Sequence, residues 1–307
     1  MESKKNDFLT KMPVVIIGAF ICCALWGSAF PCIKIGYRLF DIDTMDSYTQ
    51  ILFAGIRFVL AGILALLIGS LLSKKFLTPK KESWGKIIKL SMFQTVAQYV
   101  FFYIGLAHTT GVRSSIVEGT NVFVAILIAS LLYKQEKLTL RKIIGSIVGF
   151  AGVVLVSTFG AELVSGNYIV GDLLVFLSTF AYAFSSVLLK RFSVDENPIV
   201  LSGYQFVVGG LIMVIVGLMF GGKLQTITAG GIGMLIYLAL VSAVAYSLWG
   251  ILIKHNPISK VAVFGFMNPV CGVVLSALLL DEGSNLGLMS LVSLALVCLG
   301  IYIVNRK

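Results

Sequence analysis

Within its apolar stretches the chain carries a few ionisable side chains, and Lys34, Arg57 and Glu118 are the ones placed to do chemistry. An ionised group in hydrocarbon is costly unless water, a partner or a ligand reaches it. Arg57 stands about ten residues inside its run, roughly 15 Å deep at a rise of about 1.5 Å per residue, a depth near the bilayer midplane. There it can hold an anionic ligand group or brace backbone carbonyls. Glu118 follows Arg113 within a turn and a half, about 8 Å deep by the same rise. It can take a substrate amine, carry a coupling proton, or pair with Arg57 or Arg113. Lys34 is close enough to the end of its run to reach the interface.

Polar and aromatic residues on other runs could complete a cavity around these charges: Trp26, Gln94, Gln98, Tyr103, Asn121, Tyr182, Gln205, Tyr246, Trp249 and Asn268. Membrane helices also use such groups for packing. The chain has no HExxH, GxSxG, Walker A or GxGxxG pattern, so ATP-driven hydrolysis and dinucleotide binding have no support. His108 and His255 fall at the ends of different runs and read as interfacial polar residues rather than one metal site. Cys22, Cys23, Cys32, Cys271 and Cys298 all lie in apolar runs without CxxC spacing, as small packed residues do. No catalytic residue, cofactor or metal is expected.

The elements that must position these residues follow from composition. Of 307 residues, 58% are apolar and 12% charged, and the mean hydropathy is +0.98. Soluble domains run nearer a quarter charged, so a soluble enzyme is excluded. Ten apolar runs can be marked, at 14–37, 47–72, 85–107, 113–133, 142–158, 169–189, 199–220, 231–253, 258–280 and 286–304. Each is long enough for a helix that crosses a bilayer or nearly so. The first is too long for a signal peptide and reads as a retained helix.

Lysine and arginine set the orientation. With a cytoplasmic N-terminus, Arg38, Arg113 and Lys223 fall outside, Lys34 and Arg57 fall within spans, and the rest of the 24 cations fall inside. Both termini are therefore expected in the cytoplasm of a plasma membrane of the bacterial inner-membrane type. The net charge of +10 records this bias, not a nucleic-acid partner.

The halves resemble each other. Laying 14–158 on 169–304 pairs Trp26 with Tyr182, Lys34 with Lys190, Gly62 with Gly210, Tyr103 with Trp249, Gly119 with Gly265 and Glu136 with Glu282. Five spans per copy is odd, so the second copy enters from the opposite face. The expected fold is all-α, ten transmembrane helices as two inverted five-helix repeats after a 1–13 tail. Transporters with a site between their halves use this architecture.

The ensemble resembles the EamA group of the drug/metabolite transporter superfamily. The first span carries a Trp-Gly-small-x-Phe signature as Trp26-Gly27-Ser28-Ala29-Phe30, with Lys34 following, and the second carries the lone Arg57. The fourth and ninth spans end in acidic turns, Tyr133-Lys134-Gln135-Glu136-Lys137-Leu138-Thr139 and Leu280-Asp281-Glu282-Gly283. Pro269 stands before Glu282 as the family pattern has it; the first copy has Phe123 at that step, which argues against a bend there. The resemblance implies a ten-helix carrier with a central cavity, commonly an exporter of amino acids or other small metabolites. Against that pattern Glu118 is an addition, because the family step is apolar and the second copy has Phe264.

The sequence therefore points to a secondary transporter that exports a small polar metabolite by alternating access, with protons as a candidate coupling ion and a monomer or homodimer as the working form. The substrate-binding candidates are Glu118, Arg57, Trp26, Lys34, Gln98, Tyr103, Asn121, Tyr182, Gln205, Trp249 and Asn268. The alternative is a membrane protein handling a phosphate-bearing lipid or nucleotide-sugar. The Gly145-x-x-x-Gly149 pair allows a close helix approach, expected within one chain. The orientation is testable on intact cells. An impermeant thiol reagent should reach an engineered cysteine at Asn167 and miss one at Thr78, and labelling of both would overturn the span count.

Overall fold

The computed structural model of the chain describes residues 8–132, 137–159, 168–256, 261, 263–280, 282 and 287–305. Among them there is no strand. Six helices are long and apolar enough to cross a membrane: α1 (Met12–Leu39), α2 (Ser47–Ser73), α3 (Lys81–Ala107), α7 (Ile169–Phe192), α8 (Pro198–Met219) and α9 (Ala229–His255). Shorter helices complete the bundle. These are α4 (Gly111–Glu118), α5 (Asn121–Leu127, extended by a wide π-helical turn to Leu132), α6 (Leu140–Phe159), α10 (Met267–Leu279) and α11 (Leu288–Asn305). The chain is a multi-pass membrane protein.

Helix starts are written in short polar side chains, which satisfy the free N–H groups of a first turn. Asp46 accepts from Thr49 N at 2.9 Å, Thr110 from Arg113 N at 3.1 Å, Asn197 from Ile199 N at 2.9 Å and Thr228 from Gly231 N at 3.0 Å. Two caps reach across the chain. Glu282 accepts from Gly111 N at 3.1 Å and Val112 N at 3.0 Å, so the acidic turn after α10 caps α4. Glu196 accepts from Lys80 N at 3.1 Å and Ser83 Oγ at 2.7 Å, where α3 begins. Burial pushes the Glu196 carboxyl up, but those bonds and one from Asn197 N outweigh it and hold the group below its ordinary value. Glu136 and Asp281 of the acidic turns lie outside the described residues, as does 160–167.

The fourth expected span is not one helix. It breaks at Gly119–Thr120, between α4 and α5, although no proline is present and Phe123 stands where a bend was not expected. Thr120 turns its hydroxyl back to the Val117 carbonyl at 2.7 Å, which satisfies one group freed by the break. In the second half a 3-10 turn, Val263–Phe266, precedes α10 around Gly265. Helix α3 is also irregular, with a π-helical stretch from Ser91 to Ala97.

The helices pack in recurring pairs: α2 on α8, α6 on α11, α1 on α9 and α10, and α7 on α3, α4 and α5. Lipid tails are as apolar as leucine, so close backbone approach carries such packing. A Cβ built on Gly62 would lie 2.5 Å from the Gly203 carbonyl oxygen, and one on Gly210 would lie 2.7 Å from Val59 N. Between α6 and α11, a Cβ on Gly145 would lie 2.8 Å from the Gly300 oxygen, so this glycine pair is used within the chain. Gly62→Ala should therefore destabilise the protein in detergent by about 1–3 kcal/mol. Gly233→Ala, with nothing within 4 Å of its Cβ, should leave the melting temperature unchanged; equal shifts would show that these contacts do not hold the bundle.

Candidate functional site

A cavity of about 1330 Å³ runs into the bundle between helices of both halves. Its mouth is rimmed by Lys137, Arg141, Lys142, Lys190 and Lys254, and its inner wall includes Trp26, Arg57, Gln98, Glu118, Asn121, Tyr182, Tyr246, Trp249 and Asn268. The wall is largely apolar. Trp26 meets Tyr246 and Trp249 edge-on, with ring centroids 5.4 and 5.2 Å apart. Deeper, Tyr99 and Tyr246 share a hydroxyl–hydroxyl bond of 2.6 Å, and Phe58 packs on Tyr99 at 4.1 Å.

Arg57 is buried and braces three helices while also lining the cavity. Its Nε donates to the Leu238 carbonyl at 3.1 Å and one Nη to Ser242 Oγ at 2.9 Å, both on α9, while the other Nη donates to the Tyr103 hydroxyl on α3. The guanidinium also lies 5.1 Å from the Phe58 ring centroid. It thus ties α2, α3 and α9 together through neutral acceptors. Glu118 takes a different course. Its residue is 7% exposed and lines the cavity, where it accepts long bonds from Asn121 Nδ2 at 3.4 Å and Ser178 Oγ at 3.5 Å. Contacts this long contribute little. Neither supplies a positive charge.

Neither Arg57 nor Arg113, the two arginines with which Glu118 could have paired, hydrogen-bonds to it. Arg113 pairs with Asp172 at 2.5 Å, and Thr109 donates to the same carboxylate at 2.6 Å. The pair is buried at the end of the bundle opposite the mouth: Asp172 lies in the first turn of α7, whose last turn carries Lys190 at the rim. Asp172 was missed in the sequence because an acid in a first turn reads as a capping charge at water level. Thr109 and Arg113, at the connection from α3 into α4, were the available signal.

Eight of the candidate residues line the cavity and three do not. Tyr103 stands behind Arg57 and receives the Tyr37 hydroxyl on its backbone oxygen at 3.0 Å. Gln205 clasps α8 to α3, donating to Gln94 Oε1 at 3.1 Å and accepting from Thr95 at 2.9 Å. Lys34 lies outside the wall, near Glu282 and Arg38. Gln94 and Tyr246, named with them as able to complete a cavity, line it too, and Tyr99 and Phe102 join the wall without having been singled out. His108 and His255 each bond a carbonyl one turn back on their own helix, Ile104 at 2.8 Å and Ile251 at 2.9 Å. No group of metal-ligating side chains gathers among the described residues.

Three buried polar atoms on the cavity-lining residues have no protein partner: Trp26 Nε1, Gln98 Oε1 and Asn268 Oδ1.

Comparison with known proteins gives these observations a family. The chain is 31% identical over 290 residues to an uncharacterized transporter of Archaeoglobus fulgidus, covering 92% of this chain and 95% of the relative. It is 28% identical to the uncharacterized transporter YvbV of Bacillus subtilis, over 97% of this chain and 93% of that one. A crystal structure of a protein 17% identical in sequence superposes with a TM-score of 0.64 over 94% of this chain and 97% of that chain, and so shares the fold. The EamA-like transporter family matches twice, at residues 13–158 and 169–306. With both matches covering nearly the whole length, the chain belongs to the EamA-like transporter family.

Proposed function

We propose that this membrane transporter is a ten-helix secondary carrier built from two inverted five-helix repeats, moving a small polar metabolite such as an amino acid by alternating access. The pairings support the repeat: α2 on α8 and α6 on α11 join corresponding spans, and α1 on α9 answers α7 on α3. One observation carries the transport reading. The cavity draws its wall from both halves and holds in it a carboxylate, Glu118, with no cationic partner among its hydrogen bonds.

In this reading the mouth faces the cytoplasm of a plasma membrane, where the lysine and arginine bias puts it. The closed end, sealed by Arg113 and Asp172, faces outward, and the form described is ready to load from inside. Export follows when the inner rim closes and the outer seal opens. A phosphate-bearing substrate would want a second cation at cavity depth, and Lys34 is not on the wall.

Purified protein in liposomes, loaded with candidate amino acids or amines and assayed with and without a pH gradient, should show efflux; no flux for any small metabolite would defeat the reading. Glu118→Gln keeps size and hydrogen bonding while removing the charge. It should fold, lose transport by about tenfold or more, and flatten the dependence on pH. Wild-type flux with an unchanged pH profile would reduce Glu118 to a packing role.

A further inference from the structure

We propose that the cationic rim of the cavity mouth is a binding site for the headgroup of an anionic phospholipid, held at the rim and not carried through the cavity. Lys137, Arg141 and Lys142 stand just before or within the first turn of α6, and Lys190 and Lys254 in the last turns of α7 and α9. All five border one opening. Because α7 and α9 are long enough to span a membrane, cations in their last turns lie at headgroup level. Among the described residues no carboxylate shares the rim, and the one acid on the cavity wall, Glu118, is buried. The next acids along the chain after α7 are taken. Asp195 pairs with Lys86 at 2.8 Å, and Glu196 accepts from Lys80 N and Ser83 Oγ.

Helix ends account for only part of this gathering. A cation in the last turn of α7 or α9 is favoured by the helix dipole, but Arg141 and Lys142 stand where the dipole of α6 opposes them. Like charges around one opening also repel, and an anion among them offsets that. The surface next to the rim says which anion. Helix α6 packs on α11, while the ends of α6, α7 and α9 have little contact with one another. Leu140, Ile144, Ile147, Ala151 and Val154 recur at steps of four and three down α6, and all are exposed. This apolar stripe starts beside Arg141 and runs away from the mouth. Cations at headgroup level thus adjoin bare apolar surface at membrane depth. A phosphodiester carrying acyl chains answers both, whereas a soluble phosphate answers only the charge.

The test uses purified full-length protein in a neutral detergent, titrated with short-chain phosphatidylglycerol, phosphatidylcholine of the same chain length, glycerol phosphate and inorganic phosphate. Binding is read as a saturable rise in melting temperature and as lipid retained in native mass spectrometry. Phosphatidylglycerol should bind. Phosphatidylcholine, which has no net charge, should bind about tenfold more weakly or worse. Glycerol phosphate and inorganic phosphate, which have no chains to bury, should also be about tenfold weaker or worse. Arg141→Gln, Lys190→Gln and Lys254→Gln, combined in one protein, should weaken phosphatidylglycerol by about tenfold or more. Lys74→Gln, Lys75→Gln and Lys81→Gln remove as much charge at the same end of the bundle but away from the mouth. They should leave its affinity within about twofold.

Phosphatidylcholine as tight as phosphatidylglycerol would overturn the site, because its charge would then select nothing. Either soluble phosphate binding as tightly as the lipid would make the rim a free-anion site instead. Equal weakening by the two triple variants would reduce the effect to general attraction between a basic surface and acidic lipid. The ligand series on the unaltered protein decides the matter even where the rim variant fails to fold. No flux is read in any of these measurements, so the lipid site stands or falls apart from what the cavity transports.

Discussion

Helices in hydrocarbon gain little by hiding apolar side chains from a solvent that is itself apolar, so this bundle rests on backbones brought close enough to touch. The α2–α8 crossing is the clearest case. Gly55, Gly62 and Gly210 leave each helix so near the other's main chain that an added methyl would strike backbone atoms. The same device joins α6 to α11 at Gly145 and Gly300, and α3 to α7 at Gly105 and Gly171. Everything polar inside the bundle is arranged around these fixed crossings. The cavity is the space left between them, and its irregular helices are those that border it.

Charge is then distributed according to what each depth can tolerate. Near the closed end, Arg113 and Asp172 neutralise each other out of water, an arrangement whose net contribution to stability is small but whose disruption is costly. At mid-depth Arg57 is dispersed over a carbonyl and two hydroxyls. Such neutral acceptors solvate a guanidinium without fixing it to a carboxylate, and this leaves Glu118 uncommitted. The outermost acids cap neighbouring helices, and the lysines gather at the mouth. Glu118, inside the bundle, has only neutral hydrogen-bond partners among the described residues.

Much of the architecture was legible in the sequence. Apolar run length located the helices, because backbone hydrogen bonds must be met within a segment inside a bilayer, and the caps at Asp46, Thr110, Asn197 and Thr228 were ordinary residues in ordinary places. The break at Gly119–Thr120 was not legible, since neither residue forbids a helix as proline does. Glu118 and Arg57 announced themselves as charges where few belong. Their partners did not, because a hydrogen bond between spans far apart in the chain leaves no local trace. For that reason Lys34, Tyr103 and Gln205 looked as eligible for the cavity as Gln98 and Asn268 did, and a threefold clasp on Arg57 could not be told from an open binding site.

The seal at the closed end bears on kinetics. It joins α4 to α7 by an ion pair, and the acidic turn after α10 holds the first N–H groups of α4, so one short helix is tied into the second half from two sides. In a carrier of the kind proposed, it is the loaded protein that must undo both ties to release outward, whereas the bare carrier remakes them on its return. Outward opening is then the slow leg of the cycle. Without a ligand to offset the cost of parting these contacts, the empty carrier stays shut on the outside, and the membrane does not leak through it.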